Sequence, residues 1–317
     1  MKTWGLILPI ALGAALTCSG AGTLTTLYYT GFEPGEGYNH TLDLAGQQGW
    51  VSEGSGGNGL VSGYFAGHGQ QAYVGFAPPT GSDDTLSVWK PVNLAPVPPT
   101  TPIVQFTVLM AIIDSTDAAP FYDDFRWSVY NTGGDRLFSL DFDNDSFGIN
   151  YVRDNGAFVP TGKTFSPGLV YALTIRMDFP RNEWSASLSG QTLVNAQPMT
   201  STGLALNFGD VDAVWSIRTP GSPGDNFMVF DEYHVTAESV APPPPEVQPV
   251  GRLEDGQFLL RLFGSSGVTY VLEASADLAQ WTPVRTNTAP VDGVIDYIDT
   301  TASGAPRRFY RARVATE

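Results

Sequence analysis

Apolar and polar residues alternate along this chain in short runs bounded by Gly, Pro, Asn and Asp. No long stretch carries the 3.6-residue period of a helix, so the pattern predicts an all-β protein. Ile103 to Ile113 is nearly continuous apolar, as a strand buried on both faces would be. Phe125 to Tyr130 alternates, with Arg126, Ser128 and Tyr130 opposite Trp127. Tyr171, Leu173, Ile175 and Met177 face one way, Phe179 to Glu183 makes a turn, and Trp184, Ala186 and Leu188 resume an apolar face. That sequence predicts a hairpin inside a large sandwich. Gly224 to Val235 reads as the closing strand, with Leu27 to Glu33 as its expected partner at the start of the same domain. Pro91 to Pro102 carries five prolines, which cannot donate to a central ladder, and predicts a loop.

The same pattern divides the chain. Residues 1–21 read as an export signal: Lys2, then an apolar run from Trp4 to Leu16, then Ser19-Gly20-Ala21 for cleavage. The run is shorter than the ~20 apolar residues a membrane span needs. Cys18 is the only cysteine and falls in that segment, so the mature chain is expected to have no disulfide and no thiol chemistry. Residues 22–240 hold the large sandwich, and 241–249, with four consecutive prolines, read as an extended spacer. Residues 250–317 contain five short apolar runs, at Phe258–Phe263, Val268–Ala274, Trp281–Arg285, Val294–Ile298 and Arg308–Val314, which predict a second, small sandwich.

Charge narrows the partners. Residues 22–249 hold 8 Lys+Arg against 24 Asp+Glu, whereas residues 250–317 hold 7 against 8. So acidic a surface repels nucleic acid and anionic lipid, and neither is expected as a partner. The acids are mostly Asp, 22 against 10 Glu. That bias suits polar turns and also oxygen ligands for calcium. Asp141-Phe142-Asp143-Asn144-Asp145 opens like a calcium loop, but Ser146 stands where the loop needs Gly and Val152 where it needs Glu. A hairpin turn is the expectation there. His40, His68 and His234 are not spaced as a metal pair, and there is no Gly-x-Ser-x-Gly elbow.

Two resemblances follow from these residues. Gly31-Phe32-Glu33, Gly49-Trp50, the run from Tyr171 to Gly190 and the ending Phe230-Asp231-Glu232-Tyr233-His234-Val235 resemble the jelly-roll sandwiches of concanavalin A-like proteins and carbohydrate-binding modules. Tyr270 to Ala274, Asp277-Leu278, Trp281 and Arg308 to Ala312 resemble a C-terminal Ig- or fibronectin-III-like module of secreted bacterial proteins. The fold expected is therefore all-β, a jelly-roll β-sandwich followed by a small Ig/fibronectin-III-like β-sandwich.

The first resemblance implies a structural calcium between the first and last strands, which carries over onto Glu33 and Asp231, with Asp225 as a third candidate. It also implies a ligand face with exposed aromatic rings, because a pyranose stacks on Trp or Tyr. Trp127, Tyr151 and Trp184 fall on apolar faces and are expected in the core. Arg126, Tyr130, Tyr64 and Tyr73 are the candidates for a binding surface, and no catalytic residue is assigned. Glycanases of this class carry a Glu-x-Asp-x-x-Glu or Glu-x-Asp-x-Glu strand, absent here. Their lyases would need Tyr130, Arg126, Arg176 and His68 to converge. The expectation is a secreted, non-catalytic protein that binds glycan or cell-surface material. A glycan-degrading hydrolase or lyase and a purely adhesive surface protein are the alternatives, separated by whether ionisable side chains converge in a cleft.

Overall fold

The computed structural model describes residues 24–114, 121–240, 244–254, 256–302 and 307–315. The segments expected as the export signal and as the start of the spacer lie outside them. Among the described residues no helix is long and apolar enough to cross a membrane.

Fifteen strands build the large sandwich. The first sheet contains β1 (Leu24–Thr30), β3 (Asn58–Ser62), β4 (Gln70–Gly75), β6 (Ile103–Ile113), β11 (Tyr171–Asp178), β12 (Glu183–Leu188), β13 (Gln191–Pro198) and β15 (Phe227–Glu238). The second contains β2 (Val51–Gly54), β5 (Thr85–Trp89), β7 (Asp124–Tyr130), β8 (Arg136–Phe142), β9 (Gly148–Arg153), β10 (Phe158–Thr164) and β14 (Asp210–Ser216), in the order β10-β9-β8-β7-β14-β5-β2. The β11–β12 hairpin forms as the alternation predicts, from Leu173 opposite Leu188 to Asp178 opposite Glu183.

The inward residues of both sheets make one core. Val104, Phe106, Val108, Met110 and Ile112 of β6 are buried in it together with Trp50, Trp127, Trp184 and Trp215. Phe138 of one sheet stacks on Trp184 of the other, centroids 3.9 Å apart. Buried rings need partners for their polar atoms. The Trp50 indole N–H donates to Tyr38 Oη at 2.9 Å, and the Tyr233 hydroxyl crosses between sheets to the Val211 carbonyl at 2.8 Å. The expectation that Trp127, Tyr151 and Trp184 belong to the core holds.

β15 is the organising strand. One edge lies along β6. Its other edge is shared: Phe227 to Phe230 pair with β4, and Tyr233 to Glu238 pair with β1. The first and last strands of the domain are thus neighbours, as the sequence predicts. The handover from β4 to β1 is a bulge between Asp231 and His234, where Glu232 takes a left-handed conformation with φ 53°.

The C-terminal strands form two three-stranded sheets. One is β16 (Glu246–Arg252), β17 (Phe258–Phe263) and β20 (Val294–Asp299), and the other β19 (Thr282–Thr288), β18 (Thr269–Ser275) and β21 (Phe309–Val314). Leu260, Leu262, Tyr270, Leu272 and Ile295 are buried in a core of their own. β16 is a sixth strand that corrects the sequence reading, since it begins inside the stretch 241–249 expected as spacer. Pro249 is tolerated because β16 is an edge strand and its register shifts between Pro249 and Gly251.

Candidate functional site: an acidic cleft on the seven-stranded sheet

Residues two apart on a strand share a face. On β14, Val211, Ala213 and Trp215 point into the core, so Asp210 and Asp212 are carried on the opposite, outer face. Register then sets their neighbours. Asp210 stands opposite Tyr130 and Asp212 opposite Ser128 on β7. On the other side β5 pairs Val88 with Ala213, which brings Trp89 to the level of Asp212. Glu53 arrives from β2, paired with Ser87. The result is a cleft of about 210 Å³ lined by Glu53, Trp89, Asn93, Tyr130, Asp210 and Asp212, among others. A second depression of about 450 Å³, lined by Arg136, Asp154 and Thr202, shares Tyr130 and Gly134 with it. The Tyr130 ring is therefore the wall between two adjoining hollows.

The electrostatics of the cleft are unusual. Asp212 is 4% exposed, and its Oδ1 has no hydrogen-bond partner within the protein. Burial pushes its carboxyl well above the ordinary range, and the charge of Asp210, a hydrogen bond with it and the charge of Glu53 add to the shift. Burial also raises Asp210, opposed by the same hydrogen bond. Burial and their mutual repulsion therefore disfavour both carboxyls ionising together. Burial and the charge of Asp212 raise the Tyr130 hydroxyl to about 12, so it stays a neutral phenol. The cleft offers two half-exposed rings, donors and acceptors side by side, and no cation among its lining residues.

The residues singled out from the sequence are dispersed. Tyr130 lines the cleft. Arg126 lies on the same outer face, but its Nε–H donates to Asp141 Oδ1 at 2.7 Å and its guanidinium sits over Phe158. Tyr64 and Tyr73 are elsewhere, packed edge-on against Phe227 of the other sheet. The lyase constellation does not assemble. Arg176 belongs to β11 of the eight-stranded sheet and pairs with Glu238, and His68 sits beside the β15 bulge. The Asp141–Asp145 segment is a hairpin turn, as expected: Asp143 Oδ1 accepts the N–H groups of Asp145 and Ser146. Sequence reasoning missed Asp210, Asp212 and Glu53. The signal available was the alternation Asp210-Val211-Asp212-Ala213 before Trp215.

At the β15 bulge, Asp231 is buried and Glu33 is close enough to raise its carboxyl electrostatically. Burial is the larger cause, opposed by the Glu232 N–H and by His68, and the outcome is about 6. Glu33 accepts the Gly69 N–H at 3.0 Å. The side chain nearest to Asp231 Oδ2 among its ionisable neighbours is His68, with Nδ1 at 3.2 Å. Asp225 lies in the segment before β15 and is not part of this group. An imidazole nitrogen thus joins the Asp231 carboxylate at this bulge.

No family model matches the chain, and no curated protein matches it. Solved structures with a similar course include a sialidase, at 8% identity and a TM-score of 0.45 over 66% of this chain and 18% of that one. A GH131 β-glucanase catalytic domain from Podospora anserina aligns at 10% identity and a TM-score of 0.42, over 61% of this chain and 86% of that one. The carbohydrate-binding module CBM66 from Bacillus subtilis aligns at 10% identity and a TM-score of 0.38, over 62% of this chain and 100% of that one. The chain spans under a fifth of the sialidase's length. All these scores lie below 0.5, so the functional reading rests on the cleft itself.

Proposed function

We propose that the outer face of the seven-stranded sheet binds a neutral glycan in a secreted, non-catalytic binding protein. The observation that carries this reading is the Asp210–Asp212 pair, set side by side on β14 in a cleft walled by Trp89 and Tyr130. A sugar presents hydroxyls that donate and accept at once. Adjacent carboxyls that resist ionising together can donate as well as accept, and the two rings supply flat apolar surfaces for pyranose faces. An anionic polymer is disfavoured, because Glu53, Asp210 and Asp212 line the cleft without a cation.

Glycoside hydrolysis requires two carboxyls at a set separation. Retaining glycosidases hold their carboxyls about 5–5.5 Å apart and inverting ones about 6.5–9.5 Å. Glu53 is the one further carboxylate lining the cleft, and a hydrolase reading depends on it.

The test is a panel of neutral and acidic polysaccharides, scored for binding and for release of reducing ends. Binding to a neutral glycan without release is expected, weakened about tenfold or more by Trp89→Ala and by Tyr130→Ala. Reducing-end release abolished by Glu53→Gln establishes the hydrolase instead. A protein that binds nothing on the panel, or binds equally well without Trp89 and Tyr130, rejects the cleft as the site.

A further inference from the structure

The β15 bulge gathers a second group of side chains that the cleft does not use. His68 Nδ1, Asp231 Oδ2 and Glu232 Oε1 converge: the imidazole nitrogen is 3.2 Å from the first oxygen and 3.5 Å from the second. All three donor atoms lie within 4.8 Å of one another. Ligands bound about 2.1 Å from an ion at tetrahedral or octahedral angles are separated by about 3.0–3.4 Å. The two distances fall close to that span.

The outward atoms of the same side chains are already engaged. Asp231 Oδ1 accepts the Glu232 backbone N–H at 2.7 Å. Glu232 Oε2 accepts the Tyr29 hydroxyl at 2.6 Å. Each carboxylate thus has one oxygen fixed from behind and the other turned to His68, the support that metal-binding carboxylates require. Glu33 anchors the loop that carries His68 by accepting the Gly69 N–H at 3.0 Å. A Cβ at position 69 would come within 2.2 Å of that carboxylate, so a larger residue there would have to displace the Glu33 side chain. The left-handed backbone of Glu232, φ 53°, is what turns two successive acids toward one point. Asp231 is 1% exposed, and among the described residues its only cationic partner is His68, itself charged only when protonated. A buried carboxylate beside two further acids is costly without a counter-ion.

We propose that His68, Asp231 and Glu232 bind a divalent transition-metal ion of the zinc type, at the point where β15 passes from β4 to β1. A nitrogen donor with two carboxylate oxygens suits zinc, cobalt or manganese, whereas calcium takes six to eight oxygens. Such an ion fastens the loop between β3 and β4 to the last strand of the domain, and it lies on the other sheet from the acidic cleft. The inference is independent of any glycan reading.

The test uses the full chain, stripped with chelator and titrated with zinc, cobalt(II) and calcium while melting and heat of binding are followed. One zinc per chain, a rise in melting temperature of about 5 °C at saturation, and visible cobalt(II) bands are expected. His68→Ala abolishes all three, and Glu232→Gln, which keeps an acceptor for Tyr29, weakens them. Asp145→Asn, in the acidic turn of the other sheet, leaves them unchanged. The proposal is overturned if zinc and cobalt do not bind, if binding persists in His68→Ala, or if calcium alone raises the melting temperature.

Discussion

Asp123 and Asp212 are both removed from water, at 0% and 4% exposed, and the fold treats them oppositely. Asp123 is surrounded by donors. Its Oδ2 accepts the Trp215 indole N–H at 3.0 Å and the Gly224 N–H at 2.7 Å, and its Oδ1 accepts the Arg218 N–H at 3.1 Å. Burial raises its carboxyl while those donors pull it back. At Asp212 burial raises the carboxyl too, but the neighbours are Asp210 and Glu53, which push it further. One oxygen of Asp212 has no partner in the protein. A buried carboxylate that the chain satisfies holds the architecture together. One that it leaves half satisfied, beside an open cleft lined by two aromatic rings, costs stability and leaves an acceptor free for something outside the chain.

This contrast can be broken in order of expected size. Asp123→Ala strands the Trp215 indole and two backbone N–H groups, and should cost on the order of 3–5 kcal/mol in urea unfolding. A loss below about 1 kcal/mol would mean the loop from 217 to 224 is not held by Asp123.

Asp212→Asn should do the reverse. The folded-state values of Asp210 and Asp212 are raised, so above about pH 4 the native state holds more protons than the unfolded chain. Stability contributed by the pair therefore falls as pH rises through that window. Below about pH 4 both states are protonated and the penalty is absent. The variant should gain about 1–3 kcal/mol at pH 8, with the gain shrinking towards pH 4. An equal effect at both pH values contradicts the burial cost.

Asp154 sharpens the comparison from the satisfied side. It accepts hydrogen bonds from Thr200, Ser201 and Thr202, and they hold its carboxyl well below the ordinary range against a burial effect of opposite sign. Its contribution is present above about pH 4 and lost as pH falls below it. Asp154→Asn should destabilise by about 1 kcal/mol at pH 7, with the difference from the parent chain vanishing in acid. The Arg261–Asp296 pair of the C-terminal sheets, 2.7 Å apart and open to solvent, marks the lower limit. Arg261→Met should leave the unfolding midpoint unchanged.

Much of the fold was legible because period-two alternation reports burial directly. The alternation puts Phe125 to Tyr130 and Tyr171 to Leu188 on the faces that the structure shows, and the closing run ending in Val235 predicts the pairing of the first and last strands. The site was legible only at Tyr130. Asp210 and Asp212 gain their meaning from Tyr130, Trp89 and Glu53, which lie 80 or more residues earlier and are brought alongside by register across β7, β14, β5 and β2. No local pattern encodes that adjacency. Tyr64 and Tyr73 meet on the other sheet, where both rings pack edge-on against Phe227, a contact that their glycine-rich stretch does not announce.

The central claim is that the carboxyl pair and its two rings form the ligand surface. Calorimetric titration of whichever neutral glycan the panel identifies, into the parent chain and into Tyr130→Ala, tests it most directly, with urea unfolding of both as the control. The account predicts an affinity loss of about tenfold or more at unchanged fold. An affinity that survives the loss of Tyr130 would contradict it and place the ligand on another face of the sandwich.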